Sequence, residues 1–433
     1  MKKKKLVYIA LAADLLHEGH INILKKAAQH GNVVVGLLTD EAISSYKKIP
    51  LLDYDARESI VKNLKMVKKV IPQSTMDYRP NLEKIRPNIV VHGKDWKSGI
   101  LKNSRKQVIR ELKKWSGKLI EYPYTKNISS SIIKSKISQS NKQFSRTSLL
   151  SRLIKVKKFV RIIETHSPLV GHIVEKINIK KNNKIIEFDG FWSSSLTDSL
   201  LRAKPDDQSV ELSTRITALN ELFDVTSKPL IFDGDNGGEP NHLRHKINSL
   251  ERLGVSAIVI EDKIGPKINS LSKNQNKSIQ DKIKNFTKKI KIITNARKSK
   301  TFLIIARIES FVLGKGLNDS LRRAREYSKA GADAILIHSK QDHPKEIFKF
   351  AKEFRKSPYF KPMVSVPSSY SKTYEKELIK NGFSIVIYAN HFMRGYYKTI
   401  NEIALKILNN SRSYEVENKI TPIKKILEKS IGF

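Results

Sequence analysis

The chain has no cysteine among its 433 residues. That absence excludes disulfides, thiolate metal sites and thiol nucleophiles, and it fits a reducing cytoplasm. Long apolar runs are missing too, so no stretch approaches the length of a membrane span. The start, Met1-Lys-Lys-Lys-Lys5-Leu-Val-Tyr-Ile9, has a basic flank but only a short apolar run, and Asp14 and His17 soon follow. It reads as a first strand and not as a signal peptide. No internal repeat is present.

Acidic residues are scarce: 42 Asp and Glu stand against 82 Lys and Arg, a formal net charge of +40. Such an excess suits a polyanion partner, nucleic acid or an acidic membrane surface. Here, however, Lys, Ile, Asn and Ser are abundant along the whole length, and the basic residues do not gather into one arm. The excess therefore reads as general lysine richness rather than a nucleic-acid footprint. A positive field would also steer small phosphorylated anions.

The length suggests two or more domains. Lys5–Ala10, Asn32–Leu38, Ile89–His92 and Leu119–Tyr122 read as strands, and Ile21–His30 and Arg57–Leu64 as helices. Such alternation argues a parallel sheet. Ser129–Lys158 is rich in Ser, Lys, Gln and Asn and reads as a closing helix plus linker. Alternation then resumes to about Leu408, followed by a helical tail from Asn409 to Phe433. The lysine-rich stretch Ser272–Lys300 reads as an insertion containing a helix, with no role. The division expected is a nucleotide-binding domain over 1–134, a linker over 135–158, and a barrel over 159–433.

Four apolar runs in the second half end in ionisable residues. Ala257–Ile260 runs into Glu261-Asp-Lys-Ile-Gly-Pro-Lys267, and Pro229–Phe232 into Asp233-Gly-Asp235-Asn-Gly-Gly238. Phe302–Ala306 runs into Arg307-Ile-Glu309, and Ala334–Ile337 into His338-Ser-Lys340. In α/β barrels the carboxyl edge of the sheet holds the chemistry. Turns and helix caps also collect Asp and Glu, and Asp235-Asn-Gly-Gly238 is turn-like by itself. Four such ends in succession go beyond that explanation. Asp233, Asp235 and Glu261 offer carboxylates from two adjacent strand ends, an oxygen-only set of the kind magnesium prefers. Arg307-Ile-Glu309 by itself would also suit a buried salt bridge.

Together these residues resemble the phosphoenolpyruvate mutase family of the isocitrate lyase superfamily, from about Arg161 to about Leu408. The most specific pieces are Trp192-Ser-Ser-Ser-Leu196, which follows an expected strand Ile185–Gly190, Asp233-Gly-Asp235, the Glu261 segment, Ala306-Arg-Ile-Glu309, His338-Ser-Lys340 and Tyr388-Ala-Asn-His391. The resemblance implies a (β/α)8 barrel that moves the phosphoryl group of phosphoenolpyruvate from oxygen to carbon, giving phosphonopyruvate, with Mg2+. It implies Asp233 as principal direct ligand, with Asp235 and Glu261 acting partly through water. Backbone N–H groups at Ser194, Ser195 and Leu196, beside Trp192, would grip substrate carboxylate and phosphoryl oxygens. Arg307 would hold the phosphoryl group, with His338 on the same rim. Asp206 matches the aspartate of a mobile loop, which either accepts the phosphoryl group or steers a metaphosphate-like species; Asp207 is the alternative register. Lys267 and Asn269 match a gating loop. Lyases of the superfamily carry a cysteine there, in K-x-C-G-H; Lys267-Ile-Asn269-Ser-Leu271 carries none, which argues against carbon–carbon cleavage. Phosphonopyruvate hydrolase is a nearer rival, and Asn269 resembles the mutase gate. One departure is Glu164-Thr-His166-Ser-Pro168, where relatives read E-A-H-N-G.

The first half offers Asp14-Leu-Leu-His17-Glu-Gly19-His20-Ile21 between the first strand and first helix. Backbone N–H groups at a helix start face an anion, and Gly19 permits close approach. The pattern resembles the cytidylyltransferase branch of the HxGH nucleotidyltransferases over about Val7–Lys134. Supporting pieces are Thr39-Asp-Glu41, Arg57, Gly93-Lys-Asp95-Trp96 and Ile128-Ser-Ser-Ser131. The resemblance implies CTP as ligand. His17 and His20 would lie on the triphosphate, Gly93, Asp95 and Trp96 at the cytidine end, and Ser129 and Ser130 at phosphate. Lys47 or Lys48 is a further phosphate candidate. Two departures stand out. Ala10-Leu-Ala-Ala13 occupies a place where relatives have glycine, and Tyr124-Thr-Lys-Asn127 lacks their arginine, with Lys126 the nearest substitute.

The resulting expectation is a bifunctional enzyme of phosphonate biosynthesis that makes the carbon–phosphorus bond and transfers CMP to a phosphonate or phosphate ester. It would be cytoplasmic and a dimer or tetramer, and would feed a downstream decarboxylase. The rivals are a phosphonopyruvate hydrolase with a vestigial nucleotidyltransferase domain, and a basic nucleic-acid-binding protein on an inactive scaffold. The intact carboxylates and Arg307 argue against the last.

Overall fold

The computed structural model describes residues 4–97, 102–123, 125, 130, 142–181, 184–265, 267–272, 275 and 277–430. The chain divides into two compact units, Met1–Val160 with Lys176–Asp189, and Arg161–Glu175 with Gly190–Phe433.

The first unit is built on five strands, β1 (Leu6–Leu11), β2 (Asn32–Leu38), β3 (Val67–Gln73), β4 (Ile89–Gly93) and β5 (Lys118–Tyr122). They form one parallel sheet in the order β3-β2-β1-β4-β5. The Val- and Ile-rich runs of β1, β2 and β4 are buried on both faces, as parallel strands must be. β3 has no such run in Val67-Lys-Lys-Val-Ile-Pro-Gln73, and the fold explains why: it is an edge strand, where a proline and solvated lysines are tolerated. The strand order reverses at β1 and β4, and the crevice beyond their carboxyl ends is where doubly wound sheets bind ligands. The first helix begins at Glu18, three residues before the expected Ile21, because the His17 side chain caps it. Much of the stretch expected as linker is the helix Lys142–Lys157, which buries Leu150 and Leu153. The unit also holds an antiparallel hairpin, β7 (Asn178–Lys181) with β8 (Lys184–Glu187).

The second unit is a closed barrel of β6 (Val160–Glu164), β9 (Gly190–Ser193), β10 (Leu230–Asp233), β11 (Ala257–Glu261), β14 (Leu303–Ile308), β15 (Ala334–Ile337), β16 (Met363–Ser365) and β17 (Phe383–Tyr388). A short hairpin, β12 (Lys263–Ile264) with β13 (Ile279–Gln280), follows β11. Two expectations are corrected. Ile185–Gly190 is not the strand before Trp192: Ile185 belongs to β8, and Trp192 lies inside β9. The break falls at Phe188-Asp189, and β9 opens at Gly190, where a Cβ would sit 2.7 Å from the Pro229 carbonyl oxygen, so the close approach of β9 to β10 requires glycine. Nor is Ser272–Lys300 an insertion without a role. It supplies β13 and the helix Ile283–Ala296, which buries Phe286, Ile290, Ile293 and Ala296 at helical spacing.

The helix His391–Asn410 buries only Met393 among its residues and exposes Tyr396, Tyr397, Ile400, Leu405 and Leu408. No helix among the described residues is long and apolar enough to cross a membrane.

Candidate active sites

The barrel strands deliver their last residues to one cavity, as the parallel arrangement demands. Trp192, Ser194, Ser195, Leu196, Asp206, Asp233, Asp235, Glu261, Lys267, Asn269, Arg307 and His338 all line it. These are the residues expected to bind substrate, move the phosphoryl group or hold the metal, and the fold brings them to one place.

Asp233, at the end of β10, is the centre of the hydrogen bonding. Its Oδ2 accepts from the Ser195 N–H at 3.2 Å and the Ser195 hydroxyl at 2.9 Å, and its Oδ1 from the Asp235 N–H at 3.2 Å. The Ser195 amide is therefore spent on Asp233, where the family pattern would have it grip substrate. Lys267 Nζ donates to Ser195 Oγ at 2.8 Å, lies 2.6 Å from Asp235 Oδ1 and pairs with Asp206. Asn269 Nδ2 donates to the other Asp206 oxygen at 2.8 Å. The neighbouring Asp207 is exposed and caps Ser209 N–H at 3.0 Å, which places Asp206, and not Asp207, in the cavity.

Arg307 donates from Nε to Glu309 Oε1 at 2.5 Å and from its NH2 to Ser270 Oγ at 2.9 Å; the same NH2 lies 3.1 Å from His338 Nδ1. The salt bridge with Glu309 exists, and the guanidinium still faces the cavity. Burial and the adjacent Arg307 cation lower the His338 pKa, against the pull of Glu309. Burial works to raise Asp233, but Lys267, Arg215 and Arg307 outweigh it and hold it below the usual carboxylate range. Glu261 goes the other way. Burial, aided by Glu309 and Asp233, outweighs Arg307 and Lys263 and pushes it up to about 7.

Two buried basic side chains at the site were not anticipated from the sequence. Arg215, on the helix Leu212–Val225, donates to the Asp233 carbonyl at 2.7 Å and to Asp198 Oδ2 at 2.6 Å. Nothing in its local pattern separates it from a surface arginine. Lys263 donates to Ser270 Oγ at 2.9 Å and lies 3.7 Å from Glu261. Its signal was its place two residues beyond Glu261.

Asp233, Asp235 and Glu261 bring oxygen donors of the kind magnesium prefers to the cavity, and an ion that keeps most of its water needs only one or two of them directly; among the described residues no three such side chains gather closely enough to hold an ion by themselves. The raised Glu261 has a testable consequence without metal. A folded pKa above the unfolded value means that the native state binds the proton more tightly. Stability from this group is therefore full below about 4.5 and is lost as pH rises through about 7. Between pH 5 and 8 the melting temperature of metal-free protein should fall, relative to that of Glu261→Gln, as pH rises. Parallel thermal scans of the two proteins would measure this.

The first unit has its own crevice at the β1/β4 reversal. His17, Gly19, His20, Lys26, Lys47, Tyr78, His92 and Gly93 line it. His17 Nδ1 accepts from the Gly19 N–H at 3.1 Å, and His20 Nδ1 accepts from the His17 N–H at 3.3 Å. Burial lowers both rings, His20 to about 4. A neutral imidazole that accepts at Nδ1 carries its proton on Nε2, so both rings keep a donor at Nε2. A Cβ on Gly19 would meet the His17 ring at 3.0 Å, so this position favours glycine.

Other residues expected here lie elsewhere. Trp96 does not line the crevice; it is fully buried, donates to Glu121 at 2.7 Å and stacks on His92, which does line it. Arg57 is wholly buried, donating to the Ala12 and Leu38 carbonyls at 2.6 and 2.8 Å. Ser130 donates to the Leu15 carbonyl at 3.4 Å. The Asp95 side chain, Ser129 and the Tyr124 and Lys126 positions lie outside the described residues.

The phosphoenolpyruvate phosphomutase family model matches residues 150–408, and the cytidylyltransferase-like model matches residues 12–136. The chain is 33% identical to the phosphoenolpyruvate phosphomutase of Tetrahymena pyriformis over 282 residues, covering 65% of this chain and 90% of that protein. It is 34% identical to the phosphonopyruvate hydrolase of Variovorax sp. over 265 residues, covering 61% and 87%. A solved structure of a phosphonopyruvate hydrolase complexed with oxalate and Mg++ superposes with a TM-score of 0.57 at 31% identity, covering 67% of this chain and 95% of the other.

Proposed function

Because the chain belongs to the phosphoenolpyruvate phosphomutase family, we propose that its barrel interconverts phosphoenolpyruvate and phosphonopyruvate. The observation that carries this reading is the pinning of Asp206 by Lys267 and Asn269 in the same cavity as Asp233 and Arg307. The P–O bond to the enol oxygen breaks and a P–C bond forms at C3, with no net proton change. The residues must therefore orient the two fragments and keep water out. Arg307, held by Glu309, forks onto phosphoryl oxygens. Asp206 receives or steers the phosphoryl group in transit. Asp233 would hold magnesium directly, and Asp235 and Glu261 partly through water. Bound there, the ion supplies charge that stabilises enolate and phosphoryl oxygens.

Phosphonopyruvate hydrolysis is the second reading, favoured by the 34% identity to a hydrolase. Phosphorus NMR starting from phosphonopyruvate separates the two. Phosphoenolpyruvate supports the mutase; inorganic phosphate with pyruvate alone replaces it. Phosphonopyruvate is a 2-oxo acid, and its removal by a decarboxylase would draw the reaction forward. The exposed apolar face of the helix His391–Asn410 supports a homo-oligomer, which light scattering would measure.

The first unit, in this reading, binds CTP and passes CMP to a phosphonate or phosphate ester. An acceptor oxygen attacks the α-phosphorus and pyrophosphate leaves. His17 and His20 steady the transition state through their Nε2–H donors. His17→Ala should cost about 3 kcal/mol of transition-state stabilisation, a loss of roughly 100-fold or more in pyrophosphate release. Calorimetry should find CTP bound in preference to ATP. Binding without pyrophosphate release from any acceptor would leave a binding module.

A further inference from the structure

The loop 267–272 is joined to the barrel wall through a side chain that has no part in the reaction just described. Ser270 is 3% exposed. Its hydroxyl donates to Glu309 Oε2 at 2.6 Å and accepts from Lys263 Nζ and from Arg307, each at 2.9 Å. A serine hydroxyl has one proton to give and two lone pairs to fill, so its whole capacity is used. Lys263 adds a second fastening on the same loop by donating to the Ile268 carbonyl at 2.8 Å. Immediately beside Ser270 are the loop residues that hold Asp206, namely Asn269 and, two positions earlier, Lys267. The other partners of Arg307 are Glu261, Glu309 and His338, at or just beyond the ends of β11, β14 and β15. Among the described residues, Ser270 is where the loop reaches Arg307.

We propose that Ser270 is a positioning residue, a latch that makes closure of the loop over Asp206 and the setting of Arg307 one event, and so decides whether the phosphoryl group goes to carbon or to water. The inference rests on the mutase reading of the barrel. With the latch removed, water reaches the phosphoryl group before the enolate recaptures it. The P–C bond of phosphonopyruvate breaks to leave the pyruvate enolate, a water oxygen bonds to the phosphorus, and the water's two protons go one to C3, giving pyruvate, and one with the phosphate.

The test is Ser270→Ala, with Ser270→Thr restoring a hydroxyl, followed by phosphorus NMR from phosphonopyruvate against a blank without enzyme. In Ser270→Ala the ratio of inorganic phosphate to phosphoenolpyruvate should rise by about tenfold or more, and kcat for substrate consumption should fall by about tenfold with KM little changed. Ser270→Thr should move the ratio back toward wild type. The ratio comes only from molecules that turn over, so partial unfolding cannot mimic it. A Ser270→Ala ratio equal to that of wild type overturns the latch. The wild-type trace judges the mutase reading separately. If wild type yields phosphate alone, that reading falls, and the latch is then judged on kcat, where an unchanged value overturns it.

Discussion

Asp206→Ala should lower the rate of phosphonopyruvate turnover by more than about 100-fold while leaving the melting temperature and magnesium affinity close to wild type. The two effects separate because of what Asp206 touches. Its carboxylate meets Lys267 and Asn269 on the loop and lies outside the hydrophobic core. With Asp206 gone, Lys267 keeps Asp235 at 2.6 Å and the Ser195 hydroxyl, so no buried charge is left alone. The proposed metal ligands keep their own partners, Ser195 for Asp233, Lys267 for Asp235, and Lys263 and Arg307 for Glu261. Initial rates, thermal denaturation and a calorimetric magnesium titration on the two proteins provide the check. Near-wild-type activity would remove Asp206 from the mechanism. It would not hand the role to Asp207, which is exposed and turned to the Ser209 amide.

Arg307→Ala should remove activity and also destabilise the protein by about 3–5 kcal/mol at neutral pH, the usual consequence of stripping one partner from a buried ion pair. Glu309 is completely buried. Burial acts to raise it, but Arg307, His338 and Lys263 hold it well below the ordinary carboxylate range. A depressed folded pKa contributes stability that is present above about 4.5 and lost as pH falls through the folded value. Once Arg307 is absent, burial dominates and the carboxyl must be carried as a poorly paired charge at pH 7. The stability gap between wild type and variant should thus be widest near neutrality and narrow below about pH 4.5. Urea denaturation at pH 7 and pH 4 measures it. Adding Glu309→Gln should recover part of the stability and none of the activity. A constant gap across pH would mean that the pair contributes little to the fold.

Most of the barrel site was legible because its residues end apolar runs. Parallel strands closed into a barrel bring those ends together, so Asp233, Glu261, Arg307 and His338 could be placed in one cavity from local pattern alone. That a helix opens near these residues was legible too, from glycine and histidines directly after a strand, although it begins at Glu18 and not at the expected Ile21. Trp96 was placed at the cytidine end by the resemblance alone, and no local pattern separates a ligand-facing aromatic from a core one. Burial against His92 and Glu121 settled it as core.

By itself the sequence determined the two domain types, the absence of thiol chemistry and the strand-end carboxylates, since each depends on residue type and short spacing. The tertiary structure alone decided that Asp206 rather than Asp207 faces the cavity, that Ser195 spends its amide on Asp233, and that Arg215, Lys263 and Ser270 complete the site. These depend on side chains far apart in the chain meeting within hydrogen-bond reach. Chain closure over tens of residues sets that convergence, and no local periodicity encodes it.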